Sequence, residues 1–252
     1  MLSSDLALYA ALGFAAQLVD GALGMAYGLI CTSALLATGA PPALASASVH
    51  AAEVATTGLA GGSHLWHRNV DWRLFRRLAP AGVAGGALGA YVLVELPVGA
   101  VKVLVAVYLL GIAALIAWRV LAGRPARQVR ALGVAPVGAA AGFLDAIGGG
   151  GWGSIVTSTM VARGERPRHA VGSAALAEFL VTAAVSATFL ATLDLAAYGR
   201  VVLGLIIGGA LAAPLAGWFI RVLPQRVLMG AVAAVVGGLG VLGLVRLVGG
   251  GG

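Results

Sequence analysis

Eight long apolar runs, separated by short loops, fill almost the whole of this 252-residue chain, at about 6–38, 43–66, 78–96, 97–118, 131–162, 169–193, 201–220 and 227–248. A helix that crosses the hydrocarbon core of a bilayer needs about 20 apolar residues, whereas a barrel strand alternates over about 10. Unbroken runs of this length predict an all-α polytopic membrane protein. Only 10% of the residues are charged, well below the roughly 25% of a water-soluble domain, which excludes a soluble globule. The sixteen basic residues against nine acidic ones would suggest nucleic acid in a soluble protein. Here they lie in loops beside the spans, where basic residues set orientation, so the expected environment is lipid and not nucleic acid. The lone Cys31 has no intrachain partner for a disulfide, and the opening residues Met1 to Asp5 lack a basic stretch, so no cleavable signal peptide is expected.

Runs one and five are too long for one span and too short for two. Each is interrupted by a polar, glycine-rich stretch: Gln17 to Gly24 in the first, and Asp145 to Trp152, with Gly148, Gly149, Gly150 and Gly151 consecutive, in the second. Each helical glycine costs about 1 kcal/mol relative to alanine, so four in a row predict a helix break.

The two interrupted runs are copies. A shift of 125 residues lays Asp20 on Asp145, Gly24 on Gly149, Gly28 on Gly153, Thr32 on Thr157, Ser48 on Ser173, Glu53 on Glu178 and Thr57 on Thr182. About a third of positions 20–57 are identical under this shift, several times the coincidence that composition alone would produce. A shift of 123 then pairs Asp71 with Asp194 and Gly85-Gly86 with Gly208-Gly209. The chain therefore reads as a first membrane repeat (1–118), a basic cytoplasmic linker (119–130) and a second membrane repeat (131–252).

Loop charges choose between two topologies. If the broken runs cross the membrane, eight spans form parallel 4+4 repeats, with ten basic residues inside and six outside. If each broken run is re-entrant, six spans form inverted repeats, with thirteen inside and three outside. The positive-inside tendency favours the second arrangement: three spans plus a re-entrant glycine-rich helix in each repeat.

Ionisable residues within a membrane are costly and usually line a cavity. Here they are Asp20, His50, Glu53, Asp145 and Glu178, four of which form two repeat-related pairs. Asp before a glycine-rich turn is a good N-cap for the half-helix that follows. The start of that half-helix, with unpaired N–H groups and the positive end of its dipole, is also a natural anion site. Candidate substrate-binding residues are thus Asp20, Gly24, Tyr27, Asp145, Gly149, Gly150, Gly151 and Trp152. Ser48 and Ser173 join them if their hydroxyls face the anion and do not bond a carbonyl one turn back. Tyr27 and Trp152 share a repeat position and either wall the site or pack against the hairpin. Glu53, Glu178 and His50 are candidate proton-coupling residues; His50 either titrates or bonds Glu53 one turn away, or is simply a core histidine. A neutral carboxyl can share a cavity with an anion, whereas an ionised one repels it. No metal-ligand spacing, P-loop or nucleophile–base set is present, so neither an enzyme nor a cofactor is expected.

The stretch Gly142-Phe143-Leu144-Asp145-Ala146-Ile147-Gly148-Gly149-Gly150-Gly151, with its weaker copy from Gln17 to Gly28, resembles the sulfite exporter TauE/SafE family. The resemblance implies a duplicated permease of the bacterial inner membrane that moves a small sulfur-containing oxyanion or organic anion. The first copy departs from the pattern, with Met25-Ala26 where the second has Gly150-Gly151. A passive anion channel and a non-transporting membrane scaffold remain alternatives, and self-association is left open.

Overall fold

The computed structural model describes residues 6–23, 25–122, 133–194, 196–222 and 225–248. Gly24 and most of the predicted linker lie outside them. The described residues are helical, joined by short turns. In order they form α1 (Leu6–Leu23), α2 (Tyr27–Ala37), α3 (Pro42–Trp66), α4 (Trp72–Glu95), α5 (Val98–Ala122), α6 (Val134–Gly148), α7 (Trp152–Ala162), α8 (Pro167–Thr192), α9 (Gly199–Val222) and α10 (Gln225–Val248). Both predicted interruptions are present, between α1 and α2 and between α6 and α7. Two boundaries differ from the sequence reading. Arg119 to Ala122, placed in the linker, form the last turn of α5, because no breaker precedes Gly123. α4 starts at Trp72, ahead of the apolar run, because Asp71 accepts hydrogen bonds from the amides of Arg73 (2.8 Å) and Leu74 (3.2 Å) and so caps the helix.

Three helices, at Trp72–Glu95, Gly99–Leu121 and Pro167–Thr192, are long and apolar enough by length and composition to cross a membrane. Large apolar side chains such as Trp66, Leu121, Leu190 and Leu211 are exposed on the outside of the bundle, as in a protein solvated by lipid. Without a hydrophobic drive between helices in lipid, close backbone approach supplies much of the packing. Small residues make this possible where α4 meets α6 and where α1 meets α9. A Cβ on Gly85 would lie 2.0 Å from the Ala139 carbonyl oxygen, and one on Gly208 would lie 1.9 Å from that of Ala10. The repeat-related glycines of the Gly85-Gly86 and Gly208-Gly209 pairs thus serve close helix packing.

Contacts along the helices fix their relative directions. Leu78 meets Gly138, Gly86 meets Gly142 and Gly89 meets Phe143, so α4 and α6 run parallel. α8 runs with them: Ser173 bonds Asp71 at the start of α4, Val181 meets Gly82 and Val185 meets Gly86. α1 runs parallel to α9, with Tyr9 against Gly204 and Phe14 against Gly208. α3 and α8 run in opposite directions, with Thr57 against Thr182, Gly58 against Phe179 and Gly61 against Leu176. α5 and α10 are likewise opposed, pairing Leu110 with Gly240 and Ala113 with Gly237.

Candidate functional site: two broken-helix tips

The break between α6 and α7 uses its glycines for their backbone freedom. Gly149, Gly150 and Gly151 have φ values of 69°, 142° and 130°, a region that side chains with a Cβ rarely enter. The turn folds back so that Asp145, in the last turn of α6, caps α7: its Oδ1 accepts the Trp152 amide at 2.8 Å. The first half repeats this device. Asp20 Oδ1 accepts the Tyr27 amide at the start of α2, at 3.2 Å. Ala26, at the repeat position of Gly151, has φ 127° and thus the same backbone without the glycine.

The tips touch each other. A Cβ on Gly150 would fall 2.5 Å from the carbonyl carbon of Gly28, and one on Gly28 would fall 2.7 Å from the Cα of Gly150. The Thr32 hydroxyl, on α2, donates to the Gly149 carbonyl at 2.6 Å, and the Tyr108 hydroxyl, on α5, donates to the Gly150 carbonyl at 2.6 Å. These bonds satisfy carbonyls that the turn cannot satisfy itself, which the interior of a membrane demands.

Long helices bring the remaining ionisable groups to the same place. Glu53 is buried at 4% exposure, and its Oε1 lies where a Cβ on Gly28 would be only 2.6 Å away. Glu178 is half-buried, and its carboxyl makes no hydrogen bond among the described residues. Glu53 is within electrostatic reach of Asp145, Glu178 and Asp20, and Glu178 of Asp145 and Asp20. The four paired carboxyls thus form one electrostatically linked cluster. His50 is fully buried, as a core histidine would be, and its polar partner is not Glu53 one turn away. Its Nε2 lies 3.1 Å from Asp145 Oδ2, and its Nδ1 lies 2.9 Å from the Ser46 carbonyl oxygen. The reason is helix packing: the Ser46 hydroxyl donates to the Ala146 carbonyl at 2.6 Å, which straps this part of α3 to the end of α6.

Other candidate residues are engaged elsewhere. Ser48 donates to the Leu44 carbonyl one turn back at 2.7 Å. Ser173 accepts the Asp71 amide at 2.8 Å and donates to the Asp71 carbonyl, holding the turn before α4. Trp152 and Tyr27 are both buried. Their polar atoms donate to the carbonyls of Ala174 (3.0 Å) and Leu205 (2.9 Å), anchoring each half-helix in its neighbours. Thr32, Thr57, Thr182, Ser46 and Tyr108 are additions to the sequence-derived set. Thr32, Thr57 and Thr182 carried a signal, since each is identical to its repeat counterpart. Ser46 and Tyr108 carried none, because Val171 and Ala231 stand at the corresponding positions.

Apolar helices with exposed apolar faces, two broken helices and a carboxyl cluster where their tips meet define a multi-pass helical membrane protein with a polar centre. The model of the sulfite exporter TauE/SafE family matches residues 9–243, and the chain belongs to that family, whose members are membrane transporters of the bacterial inner membrane and not enzymes. It is 40% identical over 224 residues, 86% of this chain and 75% of the relative, to the probable membrane transporter protein YtnM of Bacillus subtilis (strain 168). No solved structure matches it.

Proposed function

We propose that the protein is a secondary transporter that carries a small sulfur-containing oxyanion or organic anion across the inner membrane in exchange with, or together with, protons. The observation that carries this reading is the meeting of two capped half-helix starts, Tyr27 and Trp152, inside one cluster of four carboxyls. Half-helix N-termini at the interface of two repeats are a recurrent way for transporters to hold an anionic group. The glycine tips bind the anion. Glu53 and Glu178 carry protons that keep the cluster neutral enough to admit it, and His50 takes part through Asp145.

Inverted repeats with six spans and two re-entrant hairpins are part of the proposal. In parallel repeats every helix runs the same way as its counterpart. α3 opposes α8, and α5 opposes α10. The hydroxyls of Thr57 and Thr182, counterparts of each other, lie 3.3 Å apart, which supports an axis passing between them. α6 and α8 run in the same direction, both parallel to α4, which is the consequence of α7 turning back between them. The same arrangement puts the basic residues of 68–77 and 163–168 on one side, in line with the charge count.

Reconstitution tests the reading. Proteoliposomes with an imposed pH gradient should concentrate labelled sulfite, or another anion selected by a thermal-shift screen of sulfite, sulfate, thiosulfate, taurine, sulfoacetate and lactate. At least one of Glu53→Gln or Glu178→Gln should lose uphill accumulation while still binding. A channel would only equilibrate the anion, and a scaffold would move none.

A further inference from the structure

We infer that His50 and Asp145 form a single-proton latch that fastens the second hairpin tip to α3, with no equivalent at the first tip. The inference deepens the transport reading and rests on it for its consequence, but the latch itself is argued from hydrogen-bond geometry alone. Both ring nitrogens of His50 face acceptors. The Ser46 carbonyl, 2.9 Å from Nδ1, can only accept, so Nδ1 carries a hydrogen. The other neighbour of Nδ1, the Ser46 hydroxyl at 3.3 Å, donates its own hydrogen to Ala146 and therefore also accepts from the ring. Nε2 then meets Asp145 Oδ2 at 3.1 Å, and one further proton must lie between them. It sits on Nε2, making an imidazolium–carboxylate pair, or on Asp145, making a neutral imidazole and a carboxylic acid. Either way the dyad has no net charge and holds one proton more than a neutral ring beside a carboxylate.

The other oxygen of Asp145 makes the dyad matter for the tip. Oδ1 accepts the Trp152 amide at the start of α7, so the residue that shares the proton also holds the half-helix. When the proton leaves to water, two acceptors face each other across a buried gap. The site also gains a negative charge beside the place proposed for the anion. The two effects act together: the strap between α3 and the hairpin loosens, and the anion is repelled. Phe189 covers the His50 ring, with centroids 6.3 Å apart, and His50 itself is fully buried. Access to the proton therefore requires movement of the packed elements. Glu53 from α3, Glu178 from α8 and Tyr108 from α5 are the titratable groups facing Asp145, with Asp20 of α1 beyond them, close to Glu53 and Glu178. Among the described residues none of these offers a cation, so the dyad proton is what offsets the Asp145 charge within this cluster. At the first tip Asp20 caps Tyr27 in the same way, but Ala175 stands where His50 would be. Coupling through this latch is confined to one half.

The test uses the full-length protein labelled with ¹⁵N-histidine, with the His50 signals assigned through a His50→Gln variant. Wild-type protein should show a hydrogen on His50 Nδ1 throughout the pH range in which it is folded. The second proton should lie between Nε2 and Asp145, so that both ring nitrogens are hydrogen-bonded through a proton. In Asp145→Asn, whose side-chain amide can donate to Nε2 while its oxygen still caps Trp152, His50 should keep the Nδ1 hydrogen and the second proton should be absent. An Nε2–H tautomer with bare Nδ1 in the wild type overturns the latch. In proteoliposomes, sulfite uptake by His50→Gln and by Asp145→Asn should lose the wild-type dependence on pH. Retention of that dependence in both variants overturns the coupling role. If wild-type protein moves no sulfite, the transport reading falls for this anion, and the histidine spectra still decide the latch.

Discussion

The two broken-helix tips share a backbone and differ in what surrounds it. Ala26 and Gly151 have φ values of 127° and 130°, and an aspartate seven residues before the half-helix caps each tip. Yet Asp20 has only the Tyr27 amide as its hydrogen-bonding partner among the described residues, whereas Asp145 also faces His50. The carboxylates reverse the bias. Glu53 is buried against Gly28, while its counterpart Glu178 is half-buried and unbonded among the described residues. The cap and the turn are what the fold needs twice. Proton-holding groups have been distributed unequally around that common frame.

The largest effect is expected where the tips touch. Gly150→Val should go beyond blocking ligand, because any Cβ there would fall 2.5 Å from the Gly28 backbone at a φ of 142°. Forcing the tips apart should destabilise the protein by about 4 kcal/mol or more, visible as a collapse of its thermal transition in detergent. An unchanged transition would mean that the tips do not meet.

The aspartates should then separate. Asp20→Ala removes one cap and should cost about 1 kcal/mol. Asp145→Ala removes a cap and strands the buried His50, and should cost about 3 kcal/mol. Equal losses in denaturation would show that the two tips are energetically alike. A smaller effect with the opposite sign is expected at Ala26. Ala26→Gly relieves a residue held at a φ that disfavours a Cβ, and should stabilise the protein by about 1 kcal/mol. Gly151→Ala should do the reverse, since its Cβ would fall 2.0 Å from the Tyr108 hydroxyl.

The mildest contrast lies at the loops. Asp71 caps α4 through two amides, while its counterpart Asp194 accepts, among the described residues, the Ala196 amide alone. Hydrogen bonds from the Leu74 and Arg73 amides, aided by His169 and Arg73, outweigh partial desolvation and hold the Asp71 carboxyl below its usual range. A depressed carboxyl stabilises the fold above its unfolded pKa, and this contribution disappears as pH falls through the folded value, below about 4. Asp71→Ala should lower stability by about 1 kcal/mol at neutral pH and flatten that acid limb. An unchanged acid limb would remove Asp71 as its source.

Much of this frame was legible in the residues. Four glycines in a row cannot continue a helix, and an aspartate before them is a cap, so the position and chemistry of the second break followed from local physics. The first break was legible in the over-long run and its polar stretch from Gln17 to Gly24, and the repeat reinforced it, although Met25-Ala26 carries no turn signal of its own. Pairing Glu53 with Glu178 likewise came from the 125-residue shift. What the sequence could not display was contact between elements far apart in the chain. His50 has Glu53 one turn away, and only the packing of α3 against α6 turns it toward Asp145. Ser48 takes the carbonyl one turn back, Leu44, which the sequence left open beside an anion, whereas the partner of Ser173, Asp71, is remote in the chain. Tyr108 sits in an apolar helix with no repeat counterpart, so nothing marked it as a support for the Gly150 carbonyl.

The inversion of one half against the other underlies the whole account. It is tested most directly by labelling exposed counterpart loops in a Cys31→Ala background. Thr38→Cys lies in the turn after α2, and Glu165→Cys lies in the turn after α7. In sealed, oriented vesicles an impermeant maleimide should reach one from the outside and the other only from the inside. Modification of both from the same side would make the halves parallel and contradict the account.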